Sequence, residues 1–370
     1  MMHRERTAYY TDLISENGSD QGKLFRITKS LLFESSNVEF PRHIQPNELA
    51  TYFGNFFAQK IQDIDSNLDQ FDCVRPDVPD VDEEDDKTVA SPLSCFELLT
   101  IEQTSNLIKL MSKKSCVLDP IPTTLAMQVV DDLLPTLSTM INMSLESGQF
   151  ASAWREALVK PTLKKPGLAI EYKNFRPVSN LRYVSKLTEG AVASQLMEHM
   201  TVNNLHLMFQ SAYKKNHSTE SALLKVKNDI LMNMDEQKVT LLVLLDLSSA
   251  FDTVNHQVLL ERLRSRFGVT GTALNWFASY LSGRIQHISE NGGTSDAFHL
   301  NQGVPQDSCL GPLLFTVYTS ELFDIIEKHL PSVHCYADDT QLYLAFSPDK
   351  EGDDAIAIEA MRNCIKELRV

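Results

Sequence analysis

No apolar run in the 370 residues approaches the roughly 20 that a membrane-spanning helix needs, and the most apolar stretch, Leu241 to Leu247, is interrupted by Asp246. The opening residues, MMHRERTAYY, are charged and lack the apolar centre of a secretion signal. Six cysteines (Cys73, Cys95, Cys116, Cys309, Cys335, Cys364) are scattered, with no CxxC pair and no histidine at zinc spacing. That pattern gives no basis for a structural zinc and leads to the expectation of a reduced, intracellular protein. Positive charge is also scarce: 34 Lys and Arg against 49 Asp and Glu leave a net charge of −15, a poor overall balance for binding phosphates.

The distribution of charge matters more than its sum. Asp77, Asp80, Asp82, Glu83, Glu84, Asp85 and Asp86 crowd one segment, which reads as a solvated linker over 76–90. From Arg155 to Lys227, by contrast, there are 12 Lys and Arg against 5 Glu and no Asp. At 43% hydrophobic residues the chain has enough apolar material for a sizeable core. Residues 1–75 have helical periodicity around a polar break at Asn17 to Gly22, and further helices are expected between 91 and 147. EALVKPTLKKPGLAIEYKNFRPVSNL reads as a strand, a basic Pro-Gly turn and a return strand, which would gather Lys160, Lys164, Lys165 and Arg176. Helices follow at YVSKLTEGAVASQLMEHM and TESALLKVKNDILMNM. VTLLVLLDLSSAF then reads as a buried strand. TVNHQVLLERLRSRFG is expected to be a helix capped by Asp252 and stopped at Gly268, and RIQHISENGGTSDAFHL a hairpin turning at Asn291-Gly292. GPLLFTVYTSELFDIIEKHL reads as one helix leading into SVHCYADDTQLYLAF.

In that last segment two adjacent acids, Asp338 and Asp339, interrupt strand-like alternation. A plain hairpin turn accounts for them, and so does a metal site at the hairpin tip. Asp246 ends a second apolar strand and has its own plain reading as a cap or a paired acid. Three carboxylates at the ends of adjacent strands are what two-metal phosphoryl transfer requires, with ions roughly 3.5–4 Å apart that activate a hydroxyl and stabilise a leaving group. Oxygen ligands with no His or Cys beside them point to Mg²⁺. Adjacent strand residues face opposite ways, so Asp338 is expected to be the closer ligand and Asp339 the outer one.

LLDLSSAFDTVNH, GVPQDSCLGPLLF and YADDTQLY, in this order and spacing, resemble the central motifs of reverse transcriptases, those of non-LTR (LINE-type, jockey-like) retrotransposons above all. LDPIP, NFRPVSNL and FQSAYKKNHSTESAL resemble further blocks of that group, so the likeness covers about 91–346. It implies an α+β right-hand polymerase with an antiparallel palm sheet backed by helices. Residues 1–75 would be the connector from an endonuclease, 91–235 the fingers, 236–346 the palm, and 347–370 the start of the next palm or thumb region. Asp246 and Asp338 would bind two Mg²⁺, or Mn²⁺ in their place, with Asp339 supporting. Phe251 would lie under the sugar of a deoxynucleoside triphosphate and exclude a 2′-hydroxyl; otherwise it is a core aromatic. Lys164 or Lys165 with Arg176 would hold the triphosphate, Pro305 and Gln306 would meet the nascent base pair, and Lys214, Lys215 and His217 would follow the template. Each basic group also has a reading as a solvated surface loop. The implied partners are an RNA template, a DNA primer and dNTPs, without membrane or zinc, and the implied place of action is the nucleus.

Two departures stand out. Where the family usually has Pro-Gln-Gly-Ser, this chain has VPQDSC, and Asp307 adds a side chain and a negative charge where glycine lets backbone approach a substrate. Activity is expected to fall unless the loop accepts a left-handed Asp. The expected thumb and endonuclease also have no counterpart in these 370 residues, which reads as a truncated copy. The readings in competition are therefore a reverse transcriptase domain and an inactive relic with residual RNA binding. An RNA-dependent RNA polymerase is a weaker third, opposed by Phe251 and YADD.

Overall fold

The computed structural model describes residues 2–16, 20, 22–25, 28, 40, 44–70, 91–111, 114–214, 216–330 and 332–368; the acidic segment 76–90, Lys215 and most of the break at Asn17 to Gly22 lie outside them. The fold is mixed, with two separate sheets set among helices. None of the described helices is long and apolar enough to cross a membrane.

Strands β1 (Glu156–Leu163) and β2 (Phe175–Leu181) form the expected hairpin, antiparallel from Ala157 opposite Leu181 to Leu163 opposite Phe175. On its other edge β1 runs parallel to β4 (Arg284–Glu290), and β4 pairs in turn with β5 (Gly293–Thr294) and β6 (Phe298–Leu300). Asn291 and Gly292 carry φ of 49° and 79°, the paired positive values of a type I′ turn. Helix Pro46–Gln70 lies on this sheet. Its Leu49, Ala50, Phe53 and Phe57 repeat at helical spacing and are buried with Val159, Phe175 and Ile288.

The second sheet is antiparallel throughout, in the order β3 (Val239–Leu245), β8 (Asp339–Phe346), β7 (Ser332–Tyr336). One face, with Val333, Cys335, Leu342 and Leu344, packs on Phe323 and Ile326 of helix Ser320–His329 and on Ala357, Met361 and Cys364 of helix Asp353–Glu367. Toward helix Thr219–Asp235, Tyr343 Oη donates to Asp229 at 2.5 Å and Asn233 Nδ2 to Thr240 at 3.1 Å. The expectation of a buried β3 is corrected. Among the described residues it is an edge strand paired with β8 alone, and its alternate side chains Leu242 and Leu244 are exposed.

Between the sheets, helices Val130–Ser147, Tyr183–Val202, His256–Ser265, Gly271–Leu281 and Gly311–Tyr318 enclose a core around Trp276, Tyr280 and Phe150. Two further expectations are corrected here. The 311–329 segment is two helices broken at Thr319, whose hydroxyl bonds back to the Phe315 and Thr316 carbonyls. Helix His256–Ser265 is capped by Asn255, which accepts from the Gln257 and Val258 amides, and not by Asp252.

Candidate active site

The two acids of YADD lie at the β7–β8 turn. Tyr336 pairs with Asp339, which leaves Ala337 and Asp338 as the two central residues. Only Ala337 of that pair has positive φ, 58°, the pattern of a type II′ turn. Asp338 is thus a turn residue, and the strand-alternation argument for its facing away from Asp339 does not apply. Leu245 of β3 pairs with Thr340, so Asp246, the next residue, comes level with Asp339. Burial pushes the half-buried Asp338 carboxyl above its ordinary range, and the neighbouring Asp339 and Asp246 push it the same way. Among the described residues no three His, Cys, Asp or Glu side chains close around a single point. The three acids are neighbours of like charge, and the charged groups acting on Asp338 are both acids. That donor set, oxygen only and short of positive charge, fits a hard divalent ion.

The acidic turn has a support that the sequence did not announce. Phe209–Ser211 runs beside β7: the Cys335 amide donates to the Phe209 carbonyl at 2.8 Å, and the Ser211 amide to the Cys335 carbonyl at 2.9 Å. Gln210 between them is buried, and its amide bonds both backbone groups of Ala337.

A second loop pair carries Phe251, Pro305 and Gln306. The Val304 amide donates to the Phe251 carbonyl and the Gly303 amide to the Val254 carbonyl, both at 2.8 Å, while His256 Nε2 donates to the Gly303 carbonyl at 2.8 Å. Phe251 stacks on Phe315 with centroids 5.0 Å apart. Pro305 is buried. Gln306 is engaged on both sides. Its Nε2 donates to the two Asp252 oxygens at 2.8 and 2.9 Å, and its carbonyl accepts from the Ser179 amide of β2 at 3.0 Å. Burial pushes the Asp252 carboxyl up to about 6, against the pull of that amide and of Lys60. Asp307 has φ of 72°, in the left-handed region that favours glycine, and pairs with Lys114 Nζ at 3.4 Å. Beyond it the fully buried Glu189 accepts from the Cys309 amide at 2.9 Å and the Leu310 amide at 3.4 Å, anchoring this loop to helix Tyr183–Val202.

Lys164, Lys165 and Arg176 are exposed on the β1–β2 hairpin, with Arg176 opposite Thr162 and the Lys164 amide bonded to the Asn174 carbonyl. The template-facing expectation for Lys214 meets a competing use: its ammonium is half-buried and donates to the Leu207 carbonyl. His217 is exposed.

A profile described as reverse transcriptase (RNA-dependent DNA polymerase) matches residues 163–370, more than half of the chain. The chain belongs to the reverse transcriptase family. The RNA-directed DNA polymerase from mobile element jockey of Drosophila melanogaster is 29% identical over 255 residues, 67% of this chain and 27% of that protein. A probable RNA-directed DNA polymerase from transposon BS of the same organism is 29% identical over 232 residues, 62% of this chain and 24% of its own length. The jockey protein of Drosophila funebris is 26% identical over 225 residues, 60% of this chain and 24% of its own length. The chain thus spans about a quarter of the length of these curated relatives.

The reverse transcriptase match takes in both loop pairs and all three acids, but it begins at the end of β1. Lys60 lies ahead of it, on helix Pro46–Gln70. Burial lowers the pKa of Lys60, the nearby Lys164 lowers it further, and Asp252 opposes both. Its helix is tied to the second loop pair by Gln302 Nε2, which donates to Asp65 at 3.0 Å. Nothing in the sequence marks this helix for chemistry, since a single lysine on an amphipathic face carries no signal.

Proposed function

We propose that this chain is the polymerase part of a mobile-element reverse transcriptase, joining deoxynucleoside triphosphates to a primer 3′-hydroxyl on an RNA template. The observation that carries the reading is the gathering of Asp246, Asp338 and Asp339 at the end of β3 and the β7–β8 turn, where the other two acids raise the Asp338 carboxyl. The three acids would hold two Mg²⁺, with Mn²⁺ as a substitute; these ions, when bound, activate the primer hydroxyl and stabilise the departing pyrophosphate. In this reading the three-stranded sheet is the palm and the β1–β2 hairpin belongs to the fingers. Lys164, Lys165 and Arg176 hold the triphosphate as point charges and a fork. Phe251, backed by Phe315, excludes a 2′-hydroxyl by bulk. Gln306 sets the floor of the nascent pair through its bonds to Asp252 and β2, and Lys214, Lys215 and His217 lie along the template.

Asp307 favours a second reading, an inactive fold that retains RNA binding. Its charge lies in the loop assigned to the base pair, although Asp is among the residues that take this left-handed backbone most readily. The partial neutralisation by Lys114 supports the active reading.

Primer extension on an RNA template with Mg²⁺ or Mn²⁺ separates the two. The unmodified chain is expected to incorporate dNTPs. Asp338→Asn is expected to lower the rate by more than about 100-fold, since even outer-shell partners of a metal are worth about 10–100-fold. Asp307→Gly is expected to raise it. Activity only after Asp307→Gly would make the chain as it stands an inactive fold, and silence from all three would overturn the polymerase reading.

A further inference from the structure

The acidic turn depends on one backbone position. Ala337 immediately precedes Asp338 and has φ of 58°, a conformation in which the Cβ of an L-residue crowds its own backbone. In a two-residue hairpin the turn-closing ladder uses the flanking residues, here Tyr336 and Asp339, and leaves the N–H and C=O of the first central residue to find other partners. Both find the same side chain. Gln210 Oε1 accepts from the Ala337 N–H at 3.0 Å, and Gln210 Nε2 donates to the Ala337 carbonyl at 3.1 Å. Oε1 also accepts from the Ala212 N–H at 3.0 Å, so two donors fix which way the amide is turned. Gln210 is 1% exposed, and the backbone bonds of Phe209 and Ser211 to Cys335 hold its Cα in register with β7. A primary amide puts an acceptor and a donor side by side on one rigid plane at every pH, and asparagine is a methylene too short for the same reach.

We infer that Gln210 is a positioning residue for nucleotidyl transfer: its amide clamps Ala337 in the left-handed conformation and thereby aims the Asp338 carboxylate. The inference rests on the polymerase reading. It predicts that the clamp acts through geometry at Asp338, with no contact to the incoming nucleotide.

Two readouts test it separately. Hydrogen exchange reads the clamp without any activity: Gln210→Leu should speed exchange of the Ala337 amide by at least about 10-fold, the equivalent of one lost buried bond, with β8 amides such as Leu342 and Leu344 unchanged. Primer extension reads the consequence. Assayed at a pH high enough to ionise the introduced carboxyl, Gln210→Glu keeps the two accepted bonds and loses the donated one, so it should lower kcat by about 10- to 100-fold, the scale of a small misplacement, with the KM for dNTP unchanged. Introducing Ala337→Gly supplies a residue at ease with positive φ and should recover most of the kcat lost in Gln210→Glu. Unchanged exchange at Ala337, a loss that falls on KM, or a loss that Ala337→Gly does not recover would each overturn the proposal. If Gln210→Leu does not fold, Gln210→Glu and its pairing with Ala337→Gly carry the test. If the unmodified chain extends no primer, the polymerase reading is lost, while exchange at Ala337 still decides whether the clamp exists.

Discussion

Asp252 shows what a single buried carboxylate does to the pH behaviour of this protein. Its pKa in the folded chain is raised from 3.8 to about 6 by burial, and the Gln306 amide and Lys60 offset only part of that. An acid whose folded pKa is raised contributes stability that is fully present below its unfolded pKa and is lost as pH rises through the folded value. Ionised Asp252 therefore opposes folding above about pH 6, and the loss accrues between about pH 4 and 6. Asp252→Asn keeps one acceptor for Gln306 and removes the charge. It is expected to stabilise the chain at pH 7.5 by about 1–2 kcal/mol, less than the full value of such a shift at 1.36 kcal/mol per unit because a hydrogen bond goes with the charge. Urea unfolding from pH 4.5 to 8 would measure this, and a variant with the same pH slope as the unmodified chain would contradict it. Asp307 behaves differently: exposed and paired with Lys114, it bears on the loop through its backbone conformation.

Elements were legible from the sequence where the signal is local. Asn291-Gly292 specifies its turn because both residues tolerate positive φ, and the Pro-Gly turn between β1 and β2 follows the same logic. The positions of Asp246 just past β3 and of Asp338 and Asp339 at the β7–β8 turn were legible because an Asp that interrupts an apolar run marks where a strand ends. Non-local pairing was not legible. Nothing in EALVKPTL announces that β1 will run parallel to β4, and the apolar run of β3 reads as buried although it ends at a sheet edge. Asp252 lost the capping role to Asn255 because a tertiary partner, Gln306, claimed its carboxylate. Gly293 belongs to the same class: a side chain there would overlap the backbone at Pro46, so it marks where helix Pro46–Gln70 presses on β5. That docking is testable at Phe53, which is fully buried and meets Phe175 at 4.9 Å and Tyr172 at 4.9 Å between ring centroids. Phe53→Ala should cost about 3–5 kcal/mol in urea unfolding with primer extension retained under native conditions. A cost below about 1 kcal/mol, the size of an ordinary surface change, would mean the helix is a loosely held appendage.

On the scale of the whole molecule, the family match and the folding unit do not coincide. The match starts at Leu163, yet β1, which ends there, is the strand that joins β2 to β4. The core around Trp276 and Tyr280 is filled in part by Phe96, Ile108, Ile141, Leu145, Phe150 and Trp154, all ahead of the match and all buried. Each such side chain is worth about 1.5–3 kcal/mol when fully buried, so losing six removes about 10 kcal/mol or more, against a total stability of about 5–15 kcal/mol for an ordinary domain. A chain of residues 163–370 alone is therefore expected to collapse without fixed packing: far-UV helix signal retained, near-UV signal lost, and dye-binding apolar surface exposed. A chain beginning at residue 44 keeps helix Pro46–Gln70, β1 and the whole aromatic core, and should unfold in one cooperative transition. Near-UV circular dichroism and thermal melts of the two chains decide the matter. Cooperative unfolding of 163–370 at the same midpoint would show that the residues ahead of Leu163 only cover a core that stands without them, and would leave Lys60 outside the minimal polymerase fold.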